Sequence, residues 1–370
     1  MGDETQAHTP AFLRDVLRAA RRPTWRRILD WALSAAGIGI AVWRLAPTIA
    51  AVPDLRARLA EVHWWWLAVA VPAGVGGLVL YGELHRHLLR VGGFRLGFRA
   101  VQAVNFISNT ISLTLPSAGV TAGVAYSVEA YRRRGVDTGL SLWVGTLAAL
   151  IAGAVMAVAG PLILAFDHLL PLTAAAALSG ALALAIVAVW LLLRQPRSLR
   201  AIAHATTAVA RHLPGAKAAK WVRESSQRAD AVSERIALLR PGFGAWQSSF
   251  GIALLSWGLD YVSLVACVLA CADDAGNIPW AAIAVGYLAV QASIAAQLTP
   301  AGAGAADSGL LAALVSGGLA DSTAAVAVVL YRTLTWLLLA LAGWVVFLVA
   351  SGRKPTRRKA PRQTAKSPSS

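Results

Sequence analysis

The sequence predicts an all-α, polytopic integral membrane protein with about six full spans plus two re-entrant helical hairpins in an inverted-topology repeat. Its 370 residues are 57% hydrophobic and only 14% charged, with a mean hydropathy of +0.60. The apolar residues lie in blocks long enough for the roughly 20 residues of helix that a bilayer core requires. Positive charge is concentrated in alternate connections between those blocks. A stretch around a broken hydrophobic segment also occurs twice, about 184 residues apart: LTLPSAGVTAGVAYSVEAYRRRGVDTGLSLWVGTLAALIAGAVMAVAG from Leu113, and AQLTPAGAGAADSGLLAALVSGGLADSTAAVAVVLYRTLTWLLLALAG from Ala296.

In the aligned copies Pro116 matches Pro300, Gly123 falls beside Asp307 and Asp137 matches Asp321. One residue of slippage brings Gly135 to Gly318 and Gly160 to Gly343. Paired Pro/Gly-interrupted segments in corresponding halves of a membrane chain point to a transport-type binding site.

Full spans are predicted at 28–50, 63–82, 139–165, 169–193, 244–270 and 322–350, and the broken segments at 100–131 and 279–318. The net charge of +16 would suggest nucleic acid in a soluble chain, but here its distribution reports topology. Of 34 Lys and Arg, 30 fall before the first span, in 83–99, at Arg132 to Arg134, in 194–243 and after 351. These segments alternate correctly as cytoplasmic, whereas the first outer loop holds only Arg56 and Arg58. Both termini are therefore expected on the cytoplasmic side of an inner (cytoplasmic) membrane, and nucleic acid is not an expected partner.

The same charges fix the broken segments. Residues 83–99 and Arg132 to Arg134 belong on one side, so 100–131 enters from the cytoplasm and returns there, while 279–318 enters and returns outside. Re-entry is favoured over two short crossings because 100–116 is short and carries Asn105, Ser108, Asn109, Thr110, Ser112 and Thr114, which lipid would not tolerate on an exposed face. Each half then has two spans, a hairpin and a span, in opposite orientation. The halves are about 28–165 and 169–350, the second with a cytoplasmic insertion at 194–243. A basic segment, 1–27, precedes the domain of 28–350, and a basic tail, 351–370, follows it.

Several features have ordinary explanations. Residues Ala218 to Ile236 carry apolar positions at helical spacing, as an interfacial helix or a solvated helical loop would. The 23-residue first apolar run and Arg44 near its outer end fit a retained span rather than a cleaved signal. Trp64 to Trp66 suit an interface belt. Cys267 and Cys271 read as small apolar residues, and His85 and His87 as members of a basic cytoplasmic loop.

A broken helix exposes backbone. After Pro116 and Gly119, and again after Pro300 and Gly302, a new helix starts inside the membrane with unpaired N–H groups, about half a positive charge, and an affinity for carboxylate or phosphate. Gly119, Gly123, Gly302 and Gly304 permit tight turns and close backbone approach there; such small residues also serve plain helix packing. Arg332 lies about ten residues into the last span, roughly 15 Å from its outer end. At that depth a charge costs about 2.5–3.5 kcal/mol and should face a partner or a wet cavity. Asp307 is the nearest carboxylate in predicted depth, either as a functional group or as a structural ion-pair partner. Glu129 and Arg132 form an i, i+3 pair at the end of the first hairpin, and Asp260 and Tyr261 sit in the outer part of the fifth span. Carboxylates withdrawn from water, Asp307 and Glu129 are the candidate proton-coupling groups. The candidate substrate-binding set is Arg332, Asp307, Tyr331, Pro300, Gly302, Gly304, Pro116, Gly119, Gly123, Asn109, Glu129 and Arg132. No P-loop, HExxH or GxSxG is present, so no enzymatic activity, metal or cofactor is expected.

The second copy, with Pro300, Gly302, Gly304, Tyr331, Arg332 and Thr335, resembles the Pro-Gly-Gly-x-Gly-x-x-Glu segment and Tyr-Arg-containing last helix of the lysylphosphatidylglycerol synthase transmembrane-region family, also called the flippase-like domain family. The resemblance covers about 28–350. It has Asp307 where the family usually has Glu. In the first copy the family's Gly-Glu/Asp-x-x-Arg pattern is represented only by Gly123, with Tyr126 near the expected Arg and Arg132 as the available substitute. The resemblance implies movement of an anionic phospholipid or polyprenyl-phosphate-linked lipid between leaflets, or an accessory role to a lipid-modifying enzyme or glycosyltransferase. Aminoacyl-lipid synthesis is not implied, because the cytosolic catalytic domain of the full synthases is absent from this sequence. A membrane-embedded lipid transferase is the remaining alternative.

Overall fold

The computed structural model describes residues 39, 55–114, 119–166, 168–193, 242–272, 278–296 and 304–352. All of the predicted span at 28–50 except Gly39, together with Pro116, Pro300, Gly302, nearly all of the insertion at 194–243 and nearly all of the tail, lies outside them. The described residues are helical and contain no strand. In chain order the helices are α1 (Leu55–Glu61), a 3-10 turn (Trp64–Trp66), α2 (Leu67–Val91), α3 (Phe98–Thr114), α4 (Gly119–Arg132), α5 (Thr138–Phe166), α6 (Leu172–Leu193), α7 (Phe243–Cys271), α8 (Trp280–Ala296), α9 (Ala305–Ser316), α10 (Asp321–Arg332), a π-helical turn (Thr333–Leu338) and α11 (Leu339–Gly352).

Four stretches among the described residues are long and apolar enough to cross a membrane: Trp64–Val91, Thr138–Ala165, Phe243–Cys271 and Asp321–Val349. Leu172–Ala188, Trp280–Ile294 and Ala305–Ser316 are shorter apolar helices. Large apolar side chains stand outward on these elements, among them Leu184, Leu254, Leu255 and Val345. In water such a surface would be an association hazard, but in lipid it is the solvated face. Trp64 and Trp65 are exposed at the start of their span, and Cys267 is buried as a small core residue.

The second span departs from expectation. Residues 83–91 continue α2 rather than opening a loop, and the chain turns only at Gly92 and Gly93. The charged residues are compatible with helix because they pair along one face. Arg86 holds Glu83 with two bonds of 2.6 and 2.7 Å, and Arg90 reaches the same carboxylate at 2.8 Å. His85 donates from Nδ1 to the Tyr81 carbonyl at 3.0 Å, and His87 from Nε2 to the Ala245 carbonyl at 3.2 Å. The second bond ties the end of α2 to the start of α7.

The packing has two centres. One cluster draws on α2 to α5, with Leu84, Leu88, Val104, Tyr131, Trp143 and Leu147. The other draws mainly on α7 to α10, with Leu264, Ile283, Tyr287, Leu310, Val326 and Tyr331. Helices α2 and α7 join them, lying along one another with Ser256 bonded to the Gly77 carbonyl at 2.7 Å and Ser263 to the Ala70 carbonyl at 2.9 Å.

The helices α3 and α4 pack as one pair, α8 and α9 as another, and each pair is crossed by a distant helix: α11 packs on α3, and α5 touches α8. At the first crossing Gly343 admits Thr110 and the Phe106 carbonyl so closely that a Cβ would overlap both, and Thr110 Oγ1 bonds the Leu339 carbonyl at 3.3 Å. At the second, a Cβ on Gly160 would meet Leu288 at an ordinary 3.5 Å. The turns leaving α4 and α9 are alike. Gly135 and Gly318 have φ of 87° and 98°, a region that costs glycine nothing. After each, an amide bonds a carbonyl five residues back, Val136 to Tyr131 and Leu319 to Leu314.

The polar run of α3 is spent on packing. Asn105 and Gln102 donate to the carbonyls of Leu78 and Val79 at 2.8 and 2.9 Å, while Ser112 and Thr114 bond back one turn along their own helix.

Candidate functional site

A buried polar cluster lies where α7, α8, α9 and α10 meet. Gly304, with φ of 84°, stands just before α9. Asp307 occupies the third position of that helix, and its Oδ2 accepts the Gly304 N–H at 3.2 Å, satisfying one of the donors that a helix start leaves open. The carboxylate also favours the positive end of α9.

The other oxygen of Asp307 meets Arg332. Asp307 Oδ1 and Arg332 Nε are 2.6 Å apart, with the two side chains 14% and 4% exposed. The contact is an ion pair by distance, although the N–H does not point along a hydrogen-bond line to that oxygen. Arg332 ends α10, and the chain then passes into the π-helical turn. The ring of Trp336, within that turn, lies 5.7 Å from the guanidinium carbon and is itself buried. A one-turn π-helix inside a longer helix is rare and is often found at functional sites. Here it immediately follows the buried cation.

Tyr331, next in sequence to Arg332, faces a second carboxylate. Asp260 of α7 receives at Oδ2 the hydroxyl of Tyr287 at 2.9 Å, the amide of Gln291 at 3.1 Å and the hydroxyl of Tyr331 at 3.3 Å. Arg332 also acts on Asp260 electrostatically. Tyr287, Gln291, Tyr331 and Arg332 are buried, whereas Asp260 keeps partial exposure. Tyr261 completes the wall, its ring edge-on to Tyr287 at 5.3 Å.

The candidate residues therefore separate into groups. Arg332, Asp307, Tyr331 and Gly304 come together, while Pro116, Pro300 and Gly302 lie outside the described residues. Gly119 begins α4. Gly123 is packed against Ser112 and the Ser108 carbonyl, so it serves close contact within the α3–α4 pair. Asn109 spends its amide on the carbonyl and side chain of Asn105, both at 2.9 Å. Arg132 and Arg133 bind Glu129 from Nε at 2.7 Å each, at an exposed helix end. Those bonds hold the Glu129 carboxyl well below the usual carboxylate range, at about 2. Glu129 is thus not a carboxylate withdrawn from water, and a proton-coupling role for it is corrected on that ground.

Asp260, Tyr287 and Gln291 are absent from the sequence-derived set. The available signals were an acid within an apolar span and a Tyr/Gln pair spaced to share one helical face. No group of three or more His, Cys, Asp or Glu able to hold a metal occurs among the described residues.

Comparison with curated proteins gives no match. The family comparison is positive: residues 31–343 match the family described as the lysylphosphatidylglycerol synthase TM region, a membrane region without the synthase catalytic domain. That match covers most of the chain and includes every helix of the buried cluster, so this multi-pass membrane protein belongs to the lysylphosphatidylglycerol synthase TM-region family.

Proposed function

We propose that this chain is a non-enzymatic lipid transporter of flippase or scramblase type, moving an anionic phospholipid or polyprenyl-phosphate-linked lipid between leaflets of the cell inner membrane. One observation carries most weight. A guanidinium is buried inside a membrane-spanning stretch, paired with a carboxylate at a helix start that follows a Pro/Gly break. An ion pair in lipid is seldom a gain in stability over apolar packing, so its presence favours a task. In the proposed cycle Arg332 exchanges Asp307 for the headgroup phosphate, Tyr331 and Gly304 line the site, and the acyl chains stay in lipid. The helix ends after Pro116 and Pro300 add positive potential at the midplane. Gly119, Gly123, Asn109, Glu129 and Arg132 then belong to the opposing hairpin that shapes the path.

We take the architecture as an inverted-topology repeat with two re-entrant hairpins, α3–α4 and α8–α9, and both termini cytoplasmic. The matched turns at Gly135 and Gly318 support it, as does the exchange by which the last span of each half packs on the first helix of the other half's hairpin. Gly160 and Gly343, aligned in sequence, sit at those two crossings.

The test is headgroup-accessibility quenching of fluorescent anionic and zwitterionic lipids in proteoliposomes, with Arg332→Ala beside the wild type. Transfer of the anionic probe that depends on Arg332 is the expected result. Transfer at the protein-free rate for every lipid would favour an accessory role to a lipid-modifying enzyme or glycosyltransferase, and a covalently altered lipid would favour a transferase.

A further inference from the structure

We infer that the wedge between α6 and α7 binds one acyl chain of an anionic phospholipid, held as a resident lipid apart from the Arg332 cluster. Helix α5 packs on both α6 and α7, and a cavity of about 270 Å³ lies where the three meet. Its wall runs from Leu147 to Ala154 on α5, with Val187 on α6 and Trp246 and Phe250 on α7. Leu147, Ile151 and Ala154 are buried at the back, whereas Val187 and Phe250 are exposed, so the mouth opens on the lipid-facing surface.

The chemistry of the wall selects the occupant. Every lining side chain is aliphatic or aromatic, and water, which needs about two to four polar partners, is not held by such a wall. An unfilled cavity forfeits the dispersion contacts of its lining. Lipid tails are as apolar as that lining, so nothing draws α6 and α7 together over the gap, and hydrocarbon from the bilayer fills it. Leu147 to Ala154 covers about 10 Å of helix, against about 15 Å for half of a bilayer core. The slot therefore suits a chain that descends from one leaflet.

Position selects the headgroup. Trp246 and Phe250 lie in the first two turns of α7, and Val187 lies about two turns before the end of α6, so the slot sits close to one membrane face. His87 Nε2 bonds the Ala245 carbonyl at 3.2 Å, which sets the end of α2 beside Trp246. Arg90 is one turn farther along that helix and is exposed. Arg86 and Arg90 share the Glu83 carboxylate, which leaves one positive charge among the three. An anionic headgroup complements it. On the other side Trp257 separates the slot from the polar cluster, its indole donating to the Ala152 carbonyl at 3.0 Å and its ring meeting Tyr287 edge-on at 6.5 Å.

This inference concerns a resident lipid and stands whether or not the domain moves lipid, so its test avoids transport. The full chain is placed in nanodiscs of phosphatidylcholine containing rising fractions of chain-brominated phosphatidylglycerol or chain-brominated phosphatidylcholine. Tryptophan emission is recorded for the wild type and for Trp246→Phe, and the difference isolates Trp246. Its quenching is expected to saturate with brominated phosphatidylglycerol at a fraction several-fold lower than with brominated phosphatidylcholine. Ala154→Phe, which fills the slot, is expected to abolish the saturation, and Arg90→Gln to remove the preference between the two lipids. Quenching that rises in proportion to lipid fraction and equally for both would mean ordinary boundary lipid. No quenching at any fraction would mean that another segment of this chain or a second copy covers the slot. Either result overturns the inference. The comparison of lipids on the wild type and on Arg90→Gln keeps the test decisive if Ala154→Phe fails to fold. Lipid transfer at the protein-free rate with this saturation intact would remove the transporter reading and leave the lipid site.

Discussion

Arg332 and Asp307 meet at 2.6 Å across the start of α9 and the end of α10, and that contact joins a cation inside a membrane-spanning stretch to the carboxylate capping the start of the preceding helix. Removing one partner leaves the other charge uncompensated, a loss of about 3–5 kcal/mol for buried pairs. Arg332→Gln is therefore expected to lower the melting temperature in detergent more than the double change Arg332→Gln with Asp307→Asn. A double-mutant cycle with additive losses would contradict the coupling. Arg332→Lys keeps the charge and loses the planar fork, so it should recover part of the stability and less of any phosphate recognition.

A second prediction concerns the crossing of α11 on α3. A Cβ at Gly343 has no room beside Thr110 and the Phe106 carbonyl, and the carbonyl belongs to a helix backbone that cannot turn away. Gly343→Ala should destabilise by about 1–3 kcal/mol, as overpacking does. At Gly160, where the neighbour is the end of the Leu288 side chain at 3.5 Å, alanine should be tolerated. Thermal unfolding of the two variants side by side checks the contrast, and equal losses would mean that the α11–α3 approach is looser than described.

Local chemistry made much of this fold legible in the sequence. Apolar blocks lead to four stretches among the described residues that are long and apolar enough to cross a membrane, because the bilayer sets their length, and the aligned Gly135 and Gly318 are both left-handed turn positions in the structure. Depth alone brought Asp307 and Arg332 into view as partners. Two things escaped for a physical reason. The charges of Glu83, Arg86 and Arg90 look like a loop in a hydropathy profile, yet they neutralise one another along a helical face and let α2 run on to Val91. The shell around Asp260 depends on how α7, α8 and α10 pack, and hydropathy carries no record of which apolar helices touch.

The third prediction separates Glu129 from any proton coupling. Its carboxyl is held near about 2 by side-chain bonds from Arg132 and Arg133. The folded value is depressed, so whatever support the ionised form gives is present above the ordinary carboxylate range and is lost only as pH falls toward about 2. Glu129→Gln should leave the pH profile of lipid transfer unchanged through the neutral range. A profile that shifts in this variant would return Glu129 to the list of coupling groups.

The last prediction addresses orientation. In the proposed topology the turn after α4 lies in the cytoplasm and the turn after α9 lies outside, although each closes a hairpin with the same backbone bonding. Arg133 and Ser316 are exposed at those two ends, so single-cysteine replacements there can be labelled without disturbing a core. Cys267 and Cys271 are first replaced by Ala, a small change at both positions. A membrane-impermeant maleimide applied to intact right-side-out vesicles is expected to label Ser316→Cys and to spare Arg133→Cys until the membrane is opened. Labelling of both from outside would mean that α3–α4 crosses the bilayer an odd number of times. The hairpin at 100–131 would then be a full crossing, and the two halves would no longer be related by inversion.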